Sequence, residues 1–214
     1  MSDLEIKTKI LEAARENYFA NGFSKSSMDD LAQLLGMSKK TIYKYFSSKD
    51  EIVRELTREK MYSIYNVCIR LQKTKDIDFL DRVSSVTKIL SEEMSLIKPV
   101  FYLDVKRNLP DLWKEIDEFR QKGIYENFKN FILEGIELGL FRRDINVDVL
   151  VLMYANTIQS VINPDILVNL PLNSSQAYSA IVEIIFGGVF TEKGKEKYMT
   201  SHNVVDKEKE YVSQ

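Results

Sequence analysis

Apolar residues recur three and four positions apart along almost the whole chain, and period-two alternation bounded by turn pairs is missing. The first stripe, Ile6, Ile10, Ala13, Ala14 and Tyr18, predicts a helix from about Asp3 to Asn21, with Gly22 at its left-handed stop. Ser26-x-x-Asp29 reads as a capping box that opens a short second helix. Met28, Leu31, Ala32 and Leu35 form its apolar side and Gly36 ends it. After the turn Gly36-Met37-Ser38, Ser38 caps a third helix with Ile42 and Phe46 facing inward. Ser48-x-x-Glu51 is a second capping box, opening a long fourth helix to about residue 72. Further helices are predicted near 77–94, 97–107, 111–138, 147–162 and 174–190. Pro110-Asp111 supplies a favourable first turn, Gly139 a stop, Asn146 a cap, and Asn163-Pro164 an end. Residues 164–173, with Pro164 and Pro171, read as a loop, and the polar stretch from about 191 onward is expected to fray.

With four prolines and eight glycines in 214 residues, breakers are few, which favours an all-α chain of about nine helices. The character changes near residue 50, from short helices with tight turns to long ones rich in aromatics. The expected organisation is an N-terminal domain over 1–50, a larger helical domain over 51–192 and a polar tail over 193–214. No internal repeat is visible.

Composition narrows the chemistry. A net charge of −2 excludes a uniformly basic coat but not a local basic patch. Cys68 is the only cysteine and His202 the only histidine, so a disulfide framework and a Cys/His zinc site cannot be built within one chain. Cys68 reads as a small buried hydrophobe, and His202 shows no role. No secretory signal or membrane-spanning stretch is evident, and neither cofactor nor metal is expected.

The third helix carries the strongest functional signal. Two short helices joined by a three-residue turn containing glycine are a helix-turn-helix signature. Between Met37 and Lys49 stand Lys39, Lys40, Lys44 and Lys49 with no acid, so this segment is basic on a net acidic chain. With Ile42 and Phe46 inward, Lys39, Lys40, Thr41, Tyr43, Lys44 and Tyr45 cover the outside. Lysine and threonine can meet base edges, while tyrosine hydroxyls and Lys49 suit phosphate oxygens.

Residues 10–53 resemble the DNA-binding domain of the TetR family of transcriptional regulators. The likeness is carried by Ile10, Ala13-Ala14, Gly22-Phe23, Ser27-Met28, Leu31-Ala32, Gly36-Met37-Ser38, Thr41-Ile42-Tyr43, Tyr45-Phe46 and Ser48-Lys49. Farther on, Glu134 to Asp144 is similar to that family's turn between its seventh and eighth helices, and Ile184 to Phe190 to its last helix. The resemblance implies a cytoplasmic, prokaryotic homodimer with a small DNA-binding domain (recognition unit about 27–46), a near-palindromic double-stranded operator and a small-molecule effector. It places Lys39, Lys40, Thr41 and Lys44 at bases, and Ser27, Tyr43, Tyr45 and Lys49 at the DNA backbone. Lys40 stands where glycine is common, and Asn17-Tyr18 where Leu-Phe is usual.

In the second domain, Tyr62, Tyr65, Phe101, Tyr102, Trp113, Phe128 and Tyr154 are the candidate lining of an apolar effector pocket; each taken singly is better explained as core. The expected dimer face uses Val151, Tyr154, Ile158 and Val161 of the 147–162 helix, with Ala177, Ile181, Ile184 and Gly188 of the 174–190 helix. Gly187-Gly188 marks either a close helix approach or a helix end. Two other readings remain open: a second domain that only dimerises, and an all-helical enzyme, for which no catalytic motif is visible.

Overall fold

The computed structural model describes residues 2–199, so His202 lies outside the described residues. Ten helices follow in order: α1 (Asp3–Asn21), α2 (Met28–Leu35), α3 (Lys39–Tyr45), α4 (Lys49–Lys73), α5 (Phe79–Leu96), α6 (Pro99–Asn108), α7 (Pro110–Glu137), α8 (Val147–Val161), α9 (Pro164–Leu167) and α10 (Ser174–Val189). Residues 192–199 are also helical, where fraying was expected. The described residues contain no strand, only one isolated bridge between Phe141 and Phe190. The fold is all-α. The short α9 is a single turn inside the expected loop, started by Pro164 with Asn163 capping the Asp165 N–H.

Local chemistry sets the helix ends. Ser2 and Glu5 close a capping box on α1. At α2 the box lies one residue later than expected: Ser27 accepts from the Asp30 N–H, and the Asp30 carboxylate accepts from the Ser27 N–H. Adjacent serines at 26–27 and adjacent aspartates at 29–30 make the two registers indistinguishable in sequence. At α4, Ser48 accepts from the Glu51 N–H, but the Glu51 carboxylate reaches back to Ser47 instead of closing the box. Gly36 ends α2 at φ 61°, in the left-handed region that suits glycine.

Two cores form. The first joins α1–α3 and the start of α4 to α6 and the beginning of α7, around Ile10, Tyr18, Phe23, Ile42, Phe46, Phe101 and Leu112. Tyr18 is fully buried, with a hydroxyl that finds no hydrogen-bond partner; burial, then the nearby Asp30 charge, pushes it up to about 12. The second core joins α5, the latter part of α7, α8 and α10. Between α7 and α8 the chain turns tightly, and Gly135 makes room for it: a side-chain carbon there would lie 2.2 Å from the Phe141 ring.

Helix α4 runs from one core to the other. Its Arg54 and Arg58 make paired charge-assisted contacts to Asp111 (2.6 and 2.9 Å) and Glu115 (2.8 Å each) on α7. Helix α6 is the second bridge. Asp104 is buried and accepts from the N–H groups of Phe23 (2.7 Å) and Ser24 (2.8 Å) in the turn after α1. Gly22, at φ 75°, leaves the space for it: a Cβ there would sit 2.5 Å from the Asp104 carboxylate.

Candidate nucleic-acid interface and effector cavity

The second helix of a helix-turn-helix must be held from behind and left open in front. Ile42 and Phe46 do the holding and are fully buried. Lys39, Lys40, Tyr43 and Lys44 are exposed and Thr41 and Tyr45 half-buried, so six of the eight proposed DNA-contact residues share the outer surface of this helix. Lys39 pairs with Asp29. Lys44 pairs with Asp3 at 3.0 Å, and the Tyr45 hydroxyl donates to the same carboxylate at 2.6 Å. Among the described residues, Lys40 makes no ion pair. The Thr41 and Ser38 hydroxyls lie 2.8 Å apart, which fixes the Thr41 side chain at the start of α3.

Lys49 and Ser27 sit differently. The Lys49 ammonium is half-buried, donating to the carbonyls of Phe23 (2.8 Å) and Ser26 (2.7 Å). It therefore fastens the α1–α2 turn, a task invisible in the local sequence because its acceptors lie more than twenty residues away. The Ser27 hydroxyl is engaged with Asp30 as the α2 cap.

A cavity of about 180 Å³ lies between α4, α5, α6, α7, α8 and α10. Of the residues expected to line an effector pocket, Tyr65, Phe101, Tyr102 and Tyr154 line this cavity. A second lobe of about 100 Å³ shares Cys68, Leu90, Gly123, Ile124, Asn127, Tyr154 and Tyr178 with the first, and Phe128 lines that lobe. Tyr62 and Trp113 line neither. Tyr62 is exposed against the Phe119 ring, and Trp113 packs edge-on to Tyr102. Burial pushes the Cys68 thiol up to about 11, which keeps it protonated, and the Tyr154 hydroxyl, 3.4 Å from that of Tyr178, up to about 12.

Sequence reading missed the charged residues of the cavity: Lys60 of α4, Glu93 of α5 and Arg120 of α7. Their signal lies in the helical repeat. Lys60 interrupts the run Leu56, Ile64, Cys68; Glu93 stands between Leu90 and Ile97; Arg120 stands between Ile116 and Ile124. Each charge occupies a slot the period reserves for an apolar side chain.

The helices assigned to dimerisation are present, but most of the named residues point the other way. Val151, Tyr154, Ile158, Ala177 and Ile181 are buried in the second core, and Val161 is half-buried against it. Ile184 and Gly188 face outward. The outer faces instead present Val149, Leu152 and Met153 on α8, and Ala180, Ile184, Gly187 and Gly188 on α10. Both α8 and α10 are apolar on two sides, so periodicity cannot choose the inner one. The two glycines lie within α10, which continues to Val189, so neither marks a helix end; added side-chain carbons would meet nothing within 4 Å.

No described helix is long and apolar enough to cross a membrane, and no group of His, Cys, Asp or Glu among the described residues could hold a metal ion.

Comparison with known proteins agrees with this geometry. The family described as bacterial regulatory proteins, tetR family, matches residues 10–56. The uncharacterized HTH-type transcriptional regulator YvaF of Bacillus subtilis is 27% identical over 180 residues, covering 80% of this chain and 89% of that protein. The fatty acid metabolism regulator protein of the same organism is 23% identical over 190 residues, covering 85% and 94%. A transcriptional regulator from Saccharomonospora viridis, solved in complex with choline, superposes with a TM-score of 0.66 at 19% identity, covering 89% of this chain and all of the other; this shows a shared fold.

Proposed function

This chain belongs to the TetR family of DNA-binding transcriptional regulators, and we propose that it acts as a homodimeric repressor which a small, largely apolar effector releases from a near-palindromic operator. The observation that carries the reading is an apolar cavity walled by the same two helices, α4 and α6, that hold the helix-turn-helix unit. One relative is named for regulating fatty acid metabolism and one structural neighbour holds choline, which supports a small-molecule effector here. The division into a DNA-binding unit over about 1–50 and an effector-binding, dimerising unit over 51–192 follows from this reading, as does a cytoplasmic location. A purely dimerising second domain would have no use for the cavity. Enzymatic turnover is disfavoured because the relatives are regulators.

In the dimer, α8 and α10 of two copies form a four-helix contact through Leu152, Met153, Ile184 and the two outward glycines, which allow close backbone approach. Two α3 helices then read successive half-sites. An effector between α4 and α6 shifts the balance between DNA-competent and released dimers only through its different affinity for them.

The test is binding of the purified protein to DNA upstream of its own gene, across a randomised operator library. Lys40→Ala relaxes preference at particular base pairs, by about 1–3 kcal/mol if Lys40 reads a guanine edge. Tyr43→Phe removes one hydroxyl and weakens all sites alike, because a phosphate contact carries no sequence information. Identical uniform losses would move Lys40 from the bases to the backbone. Absence of any binding at low salt would sink the regulator reading for this DNA-binding unit.

A further inference from the structure

The three charges inside the cavity are unequal. Lys60 and Glu93 are partners in an ion pair between α4 and α5, both largely buried, and so neutralise one another. Arg120 is held less closely, by a single long ion pair to Asp117. That pair spans 3.8 Å, beyond hydrogen-bonding range, and Asp117 is not part of the cavity wall. The Arg120 Nη1 atom is buried and makes no hydrogen bond. An unmatched guanidinium N–H in an apolar chamber is a standing cost that a ligand can remove. Tyr102, whose hydroxyl feels the Arg120 charge, stands beside it on the same wall.

The rest of the chamber is mostly apolar. Lys60, Glu93 and Arg120 belong to the first lobe, and no charged side chain lines the second, where Val83, Phe131 and Phe186 close the far end. Gly123 lines both lobes, and an added Cβ there would meet nothing within 4 Å, so the space beside it is open.

We infer that the cavity takes a single-headed anionic amphiphile, with its carboxylate on Arg120 and its aliphatic chain running past Gly123 into the second lobe. This rests on the effector-cavity reading above and names the ligand's chemistry. A neutral ligand would bring Arg120 no opposite charge, and a cationic one would face its guanidinium. A carboxylate gains a charge-assisted pair with the guanidinium.

The test compares straight-chain carboxylates, the matching alcohols and the matching alkyltrimethylammonium ions by calorimetry on the full-length protein. Carboxylates bind at least about tenfold tighter than alcohols of equal length, as one charge-assisted hydrogen bond requires. Affinity rises about fourfold per added methylene until the second lobe is filled. Arg120→Met erases the preference for the carboxylate over the alcohol; Arg120→Lys retains part of it. Gly123→Leu blocks all binding by obstructing the passage. Equal binding of alcohol and carboxylate, or a preference for the ammonium series, overturns the inference, and if Gly123→Leu still blocks those probes the effector-cavity reading survives it. Failure of every probe to bind the wild-type protein overturns the inference and takes with it the support for an apolar effector.

Discussion

Removing the Asp104 carboxylate tests whether α6 holds the DNA-binding unit in place. This buried side chain accepts from two backbone N–H groups that lie about eighty residues earlier, at 2.7 and 2.8 Å. Hydrogen bonds to a charged acceptor contribute about 1.5–3 kcal/mol each. Asp104→Ala loses both and strands the buried Phe23 N–H, so the expected loss is about 3–5 kcal/mol. For a chain of this length, a loss of about 3 kcal/mol lowers Tm by about 6–12 °C. Asp104→Asn keeps the shape and one good acceptor, and loses about 1–2 kcal/mol. The assay is urea unfolding of both variants, with operator binding followed by fluorescence anisotropy with and without effector. Asp104→Asn should still bind operator but respond less to effector, because the tie between the cavity wall and the turn after α1 is loosened. An Asp104→Ala protein within about 1 kcal/mol of wild type would refute the reasoning, since that is below the cost of even one such lost bond.

Other outcomes follow from the same structure. Gly123→Ala stabilises the protein by about 1 kcal/mol, because alanine favours the helix and its methyl meets no neighbour, yet it weakens effector binding by narrowing the passage; paired unfolding and binding measurements check both. Gly187→Leu converts the dimer to a folded monomer in sedimentation while helix content holds, and a persistent dimer would place the interface elsewhere. Glu134→Ala costs about 3–5 kcal/mol in urea unfolding at neutral pH, because it removes the opposite charge from Arg82, which is 2% exposed and donates to that carboxylate at 2.6 and 3.2 Å, leaving it only the carbonyls of Gln72 and Ile77. The hydrogen bond from Arg82 holds the Glu134 carboxyl below its ordinary value of 4.5. Its stabilisation is therefore complete above that value and is lost as pH falls through the lower folded-state pKa, so the variant should show a flatter acid limb than wild type.

The course of the helices was legible in the sequence because it depends on neighbours in the chain. A 3.6-residue apolar period, Ser and Asn caps, and a glycine at φ 61° act within a few residues, and so do the two short helices and basic face that mark the DNA-reading unit. What only the tertiary structure decided depends on partners distant in the chain. Helices α8 and α10 carry apolar residues on two sides, and only packing buried Val151 and Ile181 while leaving Leu152 and Ile184 outside. Lys49 reads as a phosphate ligand until the carbonyls of Phe23 and Ser26 are brought to it. Gly22 reads as a helix stop, yet its lack of a side chain also admits Asp104 from α6. Lys60, Glu93 and Arg120 each break an apolar stripe visibly, but three separate interruptions become one chamber, with a guanidinium whose Nη1 makes no hydrogen bond, only when α4, α5 and α7 pack together. Helical periodicity records which side of a helix avoids water; it holds no information about which other helix comes to cover it.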